Sequence, residues 1–427
     1  MLKPVEPESP LFAKLLYPGA WLLLFVMAVV AYYPGLSGPF VLDDFGSIAR
    51  LGDFDGVRDW ETFKAFVFGG TAGPTGRPLS LVTFLIDGNN WPTDPFPFKR
   101  TNLVIHLLNG ALIALVIRKL LQALQYDAVA VRWITFVSTA AWLLHPFLVS
   151  TTLYAVQRMA QLSTLFMLAG IAAWLYGRMA LSRDPRRGYL VMTLTLPFFT
   201  FLAMISKENG ILLPVLIGAL EITVFSAQRE RFGSLDKRWA GLFLVVPLAI
   251  ICVYLGRLFF RPNFFEIIPP RDFSILERLL TQPRIIVDYL QNWFIPKLYT
   301  TGVFQDHFLK STGLFTPVST FLSIILVIGS LAIATKVRRR APLVAAAILF
   351  YFANHLLEST VVSLELYFEH RNYLATALLF VALVALLWER ASRRVFAIAS
   401  LALLLMLGGF TRYSSTVWQS AEGMVQA

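Results

Sequence analysis

Two adjacent aspartates, Asp43 and Asp44, follow the apolar stretch WLLLFVMAVVAYY near the start of the chain. Neighbouring carboxylates repel each other, and this coupling raises the pKa of one member of the pair. A carboxylate within hydrogen-bond reach of an incoming hydroxyl group can act as its general base. Two carboxylates can also hold Mg²⁺ or Mn²⁺, and they can equally be solvated loop charges. The pair by itself leaves these three interpretations open.

A second set of polar residues lies in short connections between apolar stretches. Lys207 and Glu208 can form a simple polar turn, and Pro146 disfavours a helical conformation at His145. His106, on the face of an apolar segment, is interpreted as a packing residue. Ionisable groups at membrane depth are costly, so a cluster of them at one face predicts a functional site. The candidates are Arg77, His145, Arg158, Lys207, Glu208, Glu369, His370, Arg371 and Tyr373.

The composition indicates what must position these residues. Of 427 residues, 57% are hydrophobic and 15% are charged, which is too apolar for a soluble protein of this size. About 20 apolar residues cross a bilayer as a helix, which satisfies its own backbone hydrogen bonds. We therefore expect an all-α polytopic membrane protein, a single domain over residues 1–427, with a retained first helix instead of a cleaved signal peptide. The eleven predicted transmembrane helices lie near 15–34, 102–123, 131–150, 157–178, 188–205, 210–227, 240–259, 317–335, 342–360, 374–390 and 394–411.

The net charge of +11 follows membrane topology and does not indicate nucleic-acid binding. Basic residues collect in alternate connections, as at Arg338, Arg339 and Arg340, whereas the other short connections hold one cation each. The positive-inside rule then predicts a cytoplasmic N-terminus and a C-terminus on the outer side. Two long loops, about 35–101 and about 260–316, face outward together with the candidate residues.

The second long loop contains a predicted amphipathic helix, ILERLLTQPRIIVDYLQNWF, within residues 274–294. Arg284 and Asp288 are spaced to form an i, i+4 ion pair on its polar side. We expect the apolar face to lie on the membrane surface, with Trp and Tyr at the interface. That face consists of Ile285, Ile286, Tyr289, Leu290, Trp293 and Phe294.

Carboxylates and cations at the outer face suit sugar transfer from a lipid phosphate. The acceptor hydroxyl needs a general base, for which Asp43 or Asp44 is the candidate. The departing phosphate needs positive charge in a water-poor pocket. The sequence has no Gly-rich phosphate loop, HExxH or CxxC, so nucleotide hydrolysis and zinc chemistry have no support. The candidate phosphate-binding residues are Arg77, Arg158, Lys207, His370 and Arg371, and the supporting residues are His145, Glu208, Glu369 and Tyr373.

Six stretches, in this order, carry a resemblance to a known superfamily: FVLDDFGSI, GRPLSLVTFLIDG with PFPFKRTNLVIHLLNGALIAL, HPFLVSTTLYAVQRMAQLSTLFMLAGIAAWLY, SKENGILLPVLI, RLLTQPRIIVDYL and FEHRNYL. The chain resembles the C-type (GT-C) integral-membrane glycosyltransferases, which take sugars from polyprenyl-phosphate carriers. More narrowly, it looks like bacterial relatives of the transmembrane O-mannosyltransferases that carry tetratricopeptide repeats. The repeat-free form resembles glycosyltransferases of type IV pilins, including an arabinosyltransferase type.

The resemblance assigns residues one by one. The acidic pair of the family falls on Asp43 and Asp44, and its RPL arginine on Arg77. It implies a periplasm-facing active site in the bacterial inner membrane, and an exported pilin-like protein or a glycan as acceptor. A divalent cation on the acidic pair is left open. The remaining assignments are KE on Lys207 and Glu208, and E-R-Y on Glu369, Arg371 and Tyr373.

Three departures and two rival functions remain. The tetratricopeptide repeats are absent, Ser150 stands where many relatives have an acidic residue, and Ala375 stands where a proline often follows. A lipid-linked sugar flippase or transporter would place ionisable groups near the midplane and use internal repeats. A scaffolding membrane subunit would not need Asp43.

Overall fold

We describe the protein from a computed structural model that covers residues 10–267, 271–298 and 308–426, with side chains from 17 to 424 within these ranges. In these ranges nine helices are long and apolar enough to cross a membrane. They become ten if the bent pair Ala128–Leu143 and Pro146–Leu153 forms one span. The prediction of an all-α polytopic membrane protein is confirmed. The predicted span near 342–360 corresponds to a shorter apolar helix of 17 residues, Pro342–Glu358.

The N-terminal third contains two membrane helices, a long loop with short helices, and a bent span. Aspartates cap several of these helices, since Asp59, Asp94 and Asp127 accept hydrogen bonds from backbone N–H groups of the first turn. The helices are α1 Pro10–Tyr32, α2 Asp43–Ser47, α3 Trp60–Phe68, α4 Pro78–Phe84, α5 Pro95–Ala123, α6 Ala128–Leu143 and α7 Val149–Leu153.

The middle third forms antiparallel membrane helices joined by short connections. A Cβ atom added at Gly177 would lie 2.9 Å from the carbonyl oxygen of Gly188, so the small residues permit close approach of α8 and α9. Helical turns extend α10 to Phe225 and join α12 to α13. The helices are α8 Arg158–Ala180, α9 Pro185–Ser206, α10 Leu213–Leu220, α11 Arg229–Phe232, α12 Lys237–Ala240 and α13 Val246–Phe259.

The C-terminal third begins with the helix predicted in the second long loop. Residues 268–270 and 299–307 of that predicted loop lie outside the described residues. Ser274 and Glu277 form a capping box at its start, which explains why the helix begins there. The helices are α14 Ile275–Phe294, α15 Ser319–Val337, α16 Pro342–Glu358, α17 Asn372–Ala375, α18 Leu379–Arg390, α19 Arg393–Val417 and α20 Ala421–Gln426.

Most of the apolar face of α14 packs into the protein, contrary to the expectation that it lies on the membrane surface, and of its six residues only Phe294 is exposed. Ile285, Tyr289 and Trp293 are fully buried, and the Trp293 ring stacks on His145 at 3.9 Å between centroids. The expected pair also does not form: Arg284 donates to the carbonyl of Leu309 instead. An amphipathic pattern alone does not distinguish a lipid interface from a protein core.

The first long loop is held on the ends of the membrane helices. Ser415 of α19 donates to the carbonyl of Tyr32 at 2.8 Å and accepts from the N–H of Gly35 at 3.0 Å. A Cβ atom at Gly38 would lie 1.8 Å from the Trp418 carbonyl oxygen, so only glycine permits this approach. These contacts position the start of α2, where Asp43 and Asp44 lie.

Candidate active site

The two adjacent aspartates have different environments. Asp44 is fully buried, and its carboxylate oxygens accept the backbone N–H groups of Val41 at 3.0 Å and Val156 at 2.7 Å. Asp43 is exposed and lines a cavity, and its own N–H donates to the Tyr154 hydroxyl at 2.7 Å. Leu42, just before them, has a positive φ of 39°, an uncommon backbone conformation for a residue with a side chain. Asp44 therefore holds the loop, and Asp43 faces the cavity.

Burial raises the pKa of the Asp44 carboxyl group to about 7, although the two backbone hydrogen bonds and nearby Lys99 oppose this rise. Both Asp44 oxygens accept backbone N–H groups, and of the pair only Asp43 lines the cavity. No group of three or more His, Cys, Asp or Glu side chains suited to a metal occurs among the described residues.

The cavity has a volume of about 340 Å³ and brings together segments from across the chain. Five of the candidate residues meet there: Asp43, Arg77, Lys207, His370 and Arg371. Its walls come from α2, the loop before α4, the start of α8, the turn after α9, and the segment after α16. The other lining residues are Gly46, Ser47, Thr71, Ala72, Val156, Gln157, Met159, Arg271, Glu358, Leu364, Glu365 and Phe368.

Arg77 is held by Glu208. Its Nη2 lies 2.8 Å from Oε2 of Glu208, and its Nε donates to the same oxygen at 3.0 Å. The Thr75 hydroxyl donates to Oε1 of Glu208 at 2.8 Å. Gly73 has a φ of +70°, and a Cβ atom there would lie 2.3 Å from Glu208. The glycine-containing loop therefore closes around this carboxylate. The arginine of the RPL motif and the glutamate of the KE motif form an ion pair.

Lys207 pairs with Glu358, a residue that the sequence analysis missed. Lys207 Nζ lies 2.8 Å from Oε1 of Glu358, and both side chains are buried. Burial lowers the pKa of Lys207, and the Glu358 carboxylate opposes that change. Glu358 is the last residue of the apolar helix α16. Carboxylates within apolar stretches are unusual, so this position could have marked Glu358 as a candidate from the sequence.

Arg371 is bound to the backbone of the outer segment between α16 and α17. It donates to the carbonyls of Leu366 at 2.7 Å and Glu365 at 2.5 Å. Within the described ranges its Nε has no hydrogen-bond partner. The neighbouring His370 ring stacks on Phe368 at 4.9 Å between centroids. The guanidinium lines the cavity and uses two of its five N–H groups in these backbone bonds, while its Nε is itself buried.

Arg278 of α14 holds the same outer segment from behind. Its buried guanidinium donates to the carbonyls of Glu358 at 2.5 Å, Thr360 at 3.0 Å and Glu365 at 2.9 Å, and also to that of Leu364. Three of these four residues line the cavity. The shape of this wall therefore depends on one side chain that does not itself line it.

The remaining candidates lie outside the cavity. Arg158 is fully buried, pairs with Asp87 at 2.5 Å, and donates to Asn102 and to two backbone carbonyls. His145 bonds the Trp293 carbonyl at 2.9 Å, where the chain bends by 54°. These contacts give both residues structural roles, because their polar groups already have partners in the fold.

Glu369 and Tyr373 lie behind the cavity wall. Ser150 donates to Glu369 at 2.5 Å, so the serine that replaces an acidic residue of the resembled family contacts another family position. The Tyr373 hydroxyl bonds His106 at 2.7 Å. Tyr373 also borders a chamber of about 20 Å³ that Lys207 and Arg371 line as well. Both residues support the wall from which Arg371 projects.

Comparisons with protein-family models, with curated proteins and with solved structures found no match for this chain.

Proposed function

We propose that this protein is a glycosyltransferase that moves a sugar from a polyprenyl-phosphate carrier to an acceptor hydroxyl group. One observation carries the proposal: the exposed carboxylate of Asp43 shares a cavity of about 340 Å³ with Arg77, Lys207, His370 and Arg371. A base and several cations around one cavity are what the transfer requires. The resemblance to C-type glycosyltransferases supports the same conclusion from the sequence.

Asp43 accepts the proton of the acceptor hydroxyl group as its oxygen attacks the anomeric carbon of the sugar. The bond from that carbon to the phosphate oxygen breaks, and the carrier phosphate leaves with the bonding electron pair. A single displacement of this kind inverts the anomeric configuration. Arg371, which lines the cavity and uses only two of its five N–H groups within the fold, is assigned to the departing phosphate, beside His370. No step in this scheme requires a divalent cation.

Lys207 and Arg77 do not act as isolated cations in this proposal. Each is already paired with a carboxylate, Lys207 with Glu358 and Arg77 with Glu208. Paired cations contribute less net positive charge but are held in place. In the proposal they shape the donor site, and Arg371 provides the main charge. Asp44 is assigned to positioning Asp43, because its own carboxylate is buried.

The acceptor in this proposal is a Ser or Thr of an exported, pilin-like protein, or a hydroxyl of a glycan. Asp43→Asn tests it, because asparagine keeps the size of the side chain and cannot take the proton. We expect transfer to fall by about 10²- to 10⁴-fold. The measurement is intact-mass analysis of exported proteins from cells that express each variant, where a hexose or pentose increment reports transfer.

Asp55→Asn is the matched control, since Asp55 lies in the same loop with a side chain that is 92% exposed. It should transfer as the unchanged protein does. Equal activity of folded Asp43→Asn and Asp55→Asn proteins would refute the assignment of Asp43 as the base. Absence of any sugar increment that depends on the gene would refute the transferase proposal.

The proposal also places the protein in the bacterial inner membrane with the cavity at the periplasmic face. Cys252 is the single cysteine, so Cys252→Ser provides a background without thiols. In this background, a membrane-impermeant maleimide should label Asp55→Cys in spheroplasts, and should label Arg339→Cys only after lysis. The reverse pattern would invert the proposed topology.

A further inference from the structure

A second cavity, of about 430 Å³, lies on the lateral surface of the bundle between α6, α18 and α19. Its walls are apolar and include Trp133 and Phe136 of α6, and Phe396 and Leu404 of α19. It lies toward the ends of these helices that are remote from the candidate active site, because the other end of α19 packs on the first long loop. The groove faces the region that lipid occupies around a membrane protein.

One end of the groove carries a cation that the protein holds in place. The Arg393 guanidinium lies 3.6 Å from the centroid of the Trp388 ring and donates to the Trp388 carbonyl at 2.7 Å. Arg393 is nevertheless exposed, so its remaining N–H groups can reach a ligand. The acidic group that acts on it is Asp127, whose carboxylate already accepts the N–H groups of Val129 and Ala130.

Deeper in the groove, a buried hydroxyl group lacks a partner. Ser400 is only 6% exposed and lines the groove, and its Oγ has no hydrogen-bond partner in the part of the chain that the structure describes. Ser206 and Ser330, also within membrane helices, donate to the carbonyl four residues earlier at 2.8 and 2.7 Å. Thr135, Ser138 and Thr139 of α6 are also buried and, within the described ranges, unpaired but do not line the groove, whereas the Ser400 hydroxyl borders it and is available to an acceptor on a ligand.

We propose that this groove binds one anionic glycerophospholipid. Its phosphate lies at Arg393, an ester carbonyl accepts the Ser400 hydroxyl proton in a hydrogen bond, and an acyl chain packs along Phe136, Phe396 and Leu404. Seven residues at 1.5 Å each place Ser400 about 10 Å deeper along α19 than Arg393. The Arg393 side chain lies on the Trp388 ring, which itself packs on Phe396, so the guanidinium is nearer to Ser400 than the Arg393 backbone is. A polyprenyl phosphate also joins a phosphate to an apolar chain, but it has no ester carbonyl for Ser400.

Native mass spectrometry of the purified, delipidated full chain tests the headgroup contact, with phosphatidylglycerol and phosphatidylcholine as the two probes. We expect one phosphatidylglycerol to bind more tightly than phosphatidylcholine, and Arg393→Ala to weaken phosphatidylglycerol binding about tenfold. Arg394→Ala is the matched control and should bind as the unchanged protein does. Equal affinity for the two lipids, or equal loss in both variants, would overturn the proposal.

The Ser400 contact is tested by comparing ester-linked with ether-linked phosphatidylglycerol, which lacks the carbonyl groups. The unchanged protein should prefer the ester form by about threefold to tenfold, and Ser400→Ala should bind both forms equally. Ser330→Ala should keep the preference. If a polyprenyl phosphate displaces phosphatidylglycerol with equal or higher affinity, the groove belongs to a carrier lipid and the assignment is wrong. These binding measurements are independent of the proposed transferase activity.

Discussion

Lys207 Nζ lies 2.8 Å from Oε1 of Glu358, in a buried ion pair between two residues that are far apart in the sequence. Each charge compensates the other in a largely buried part of the cavity wall, where the two side chains are 6% and 7% exposed. Removing one member of such a pair leaves an uncompensated buried charge, which typically costs about 3–5 kcal/mol. The pair therefore joins the turn after α9 to the end of α16 at the wall of the cavity.

From this pair we predict that Glu358→Gln and Lys207→Met each lower the thermal midpoint of the purified protein by several degrees. The double variant should lose less than the sum of the single losses, because it leaves no unpaired charge. Tryptophan fluorescence during heating in detergent measures the midpoints. Additive losses would mean that the two side chains do not interact in the folded protein.

The raised pKa of Asp44 predicts that the stability of the folded protein depends on pH. Its pKa in the folded protein is about 7, above the ordinary value of 3.8, so folding favours its protonated form. Its stabilising contribution is complete below pH 3.8 and is lost as the pH rises to about 7. We expect the thermal midpoint to fall over this range.

Asp44→Asn should remove this part of the pH dependence, while its midpoint is lower at each pH because an amide nitrogen cannot accept the Val41 or Val156 N–H. Asp43→Asn should keep most of this pH dependence and move it slightly to lower pH, because the Asp43 charge is the smallest of the causes that raise the pKa of Asp44. A pH profile that is the same in the Asp44→Asn protein would assign the titration to another group.

We predict different results when Arg158 and Arg371 are each replaced by glutamine. Arg158→Gln leaves Asp87 buried without its cation, so we expect a loss of folded protein corresponding to about 3–5 kcal/mol. Arg371→Gln loses two backbone bonds but breaks no direct ion pair of the described residues, so it should still fold, with a lower thermal midpoint, and lose sugar transfer. Size-exclusion profiles and the intact-mass assay separate the two effects. Well-folded, inactive Arg158→Gln protein would restore Arg158 as a phosphate-binding candidate.

The contacts of Arg278 predict that this side chain, although outside the cavity, keeps one wall of the cavity ordered. Arg278→Lys keeps the charge but cannot reproduce four bonds to backbone carbonyls, each worth about 1.5–3 kcal/mol when the donor is charged. Amide hydrogen exchange should become at least about tenfold faster in residues 359–368. Peptides from α5 and α8 serve as the internal control and should not change. Unchanged exchange in 359–368 would show that other contacts hold this segment.

Much of the architecture follows from local sequence. Runs of about 20 apolar residues predict membrane helices, because in lipid the N–H and C=O groups of such a run must form hydrogen bonds with each other. The start of α14 follows from Ser274 and Glu277, a capping box that acts within one turn. The placement of the acidic pair just after the first apolar stretch is likewise visible in the sequence.

The division of roles within the site required the tertiary structure. Asp43 and Asp44 are chemically identical in the sequence, and the folded chain distinguishes them by burying Asp44 against the N–H groups of Val41 and Val156 and leaving Asp43 exposed at the cavity. Arg158 and Arg371 also look alike until Asp87 is seen beside Arg158. Sequence alone determined which polar residues interrupt the apolar stretches. Only the folded chain decided which of them are buried, paired or exposed, because burial and ion pairing depend on residues that are distant in sequence.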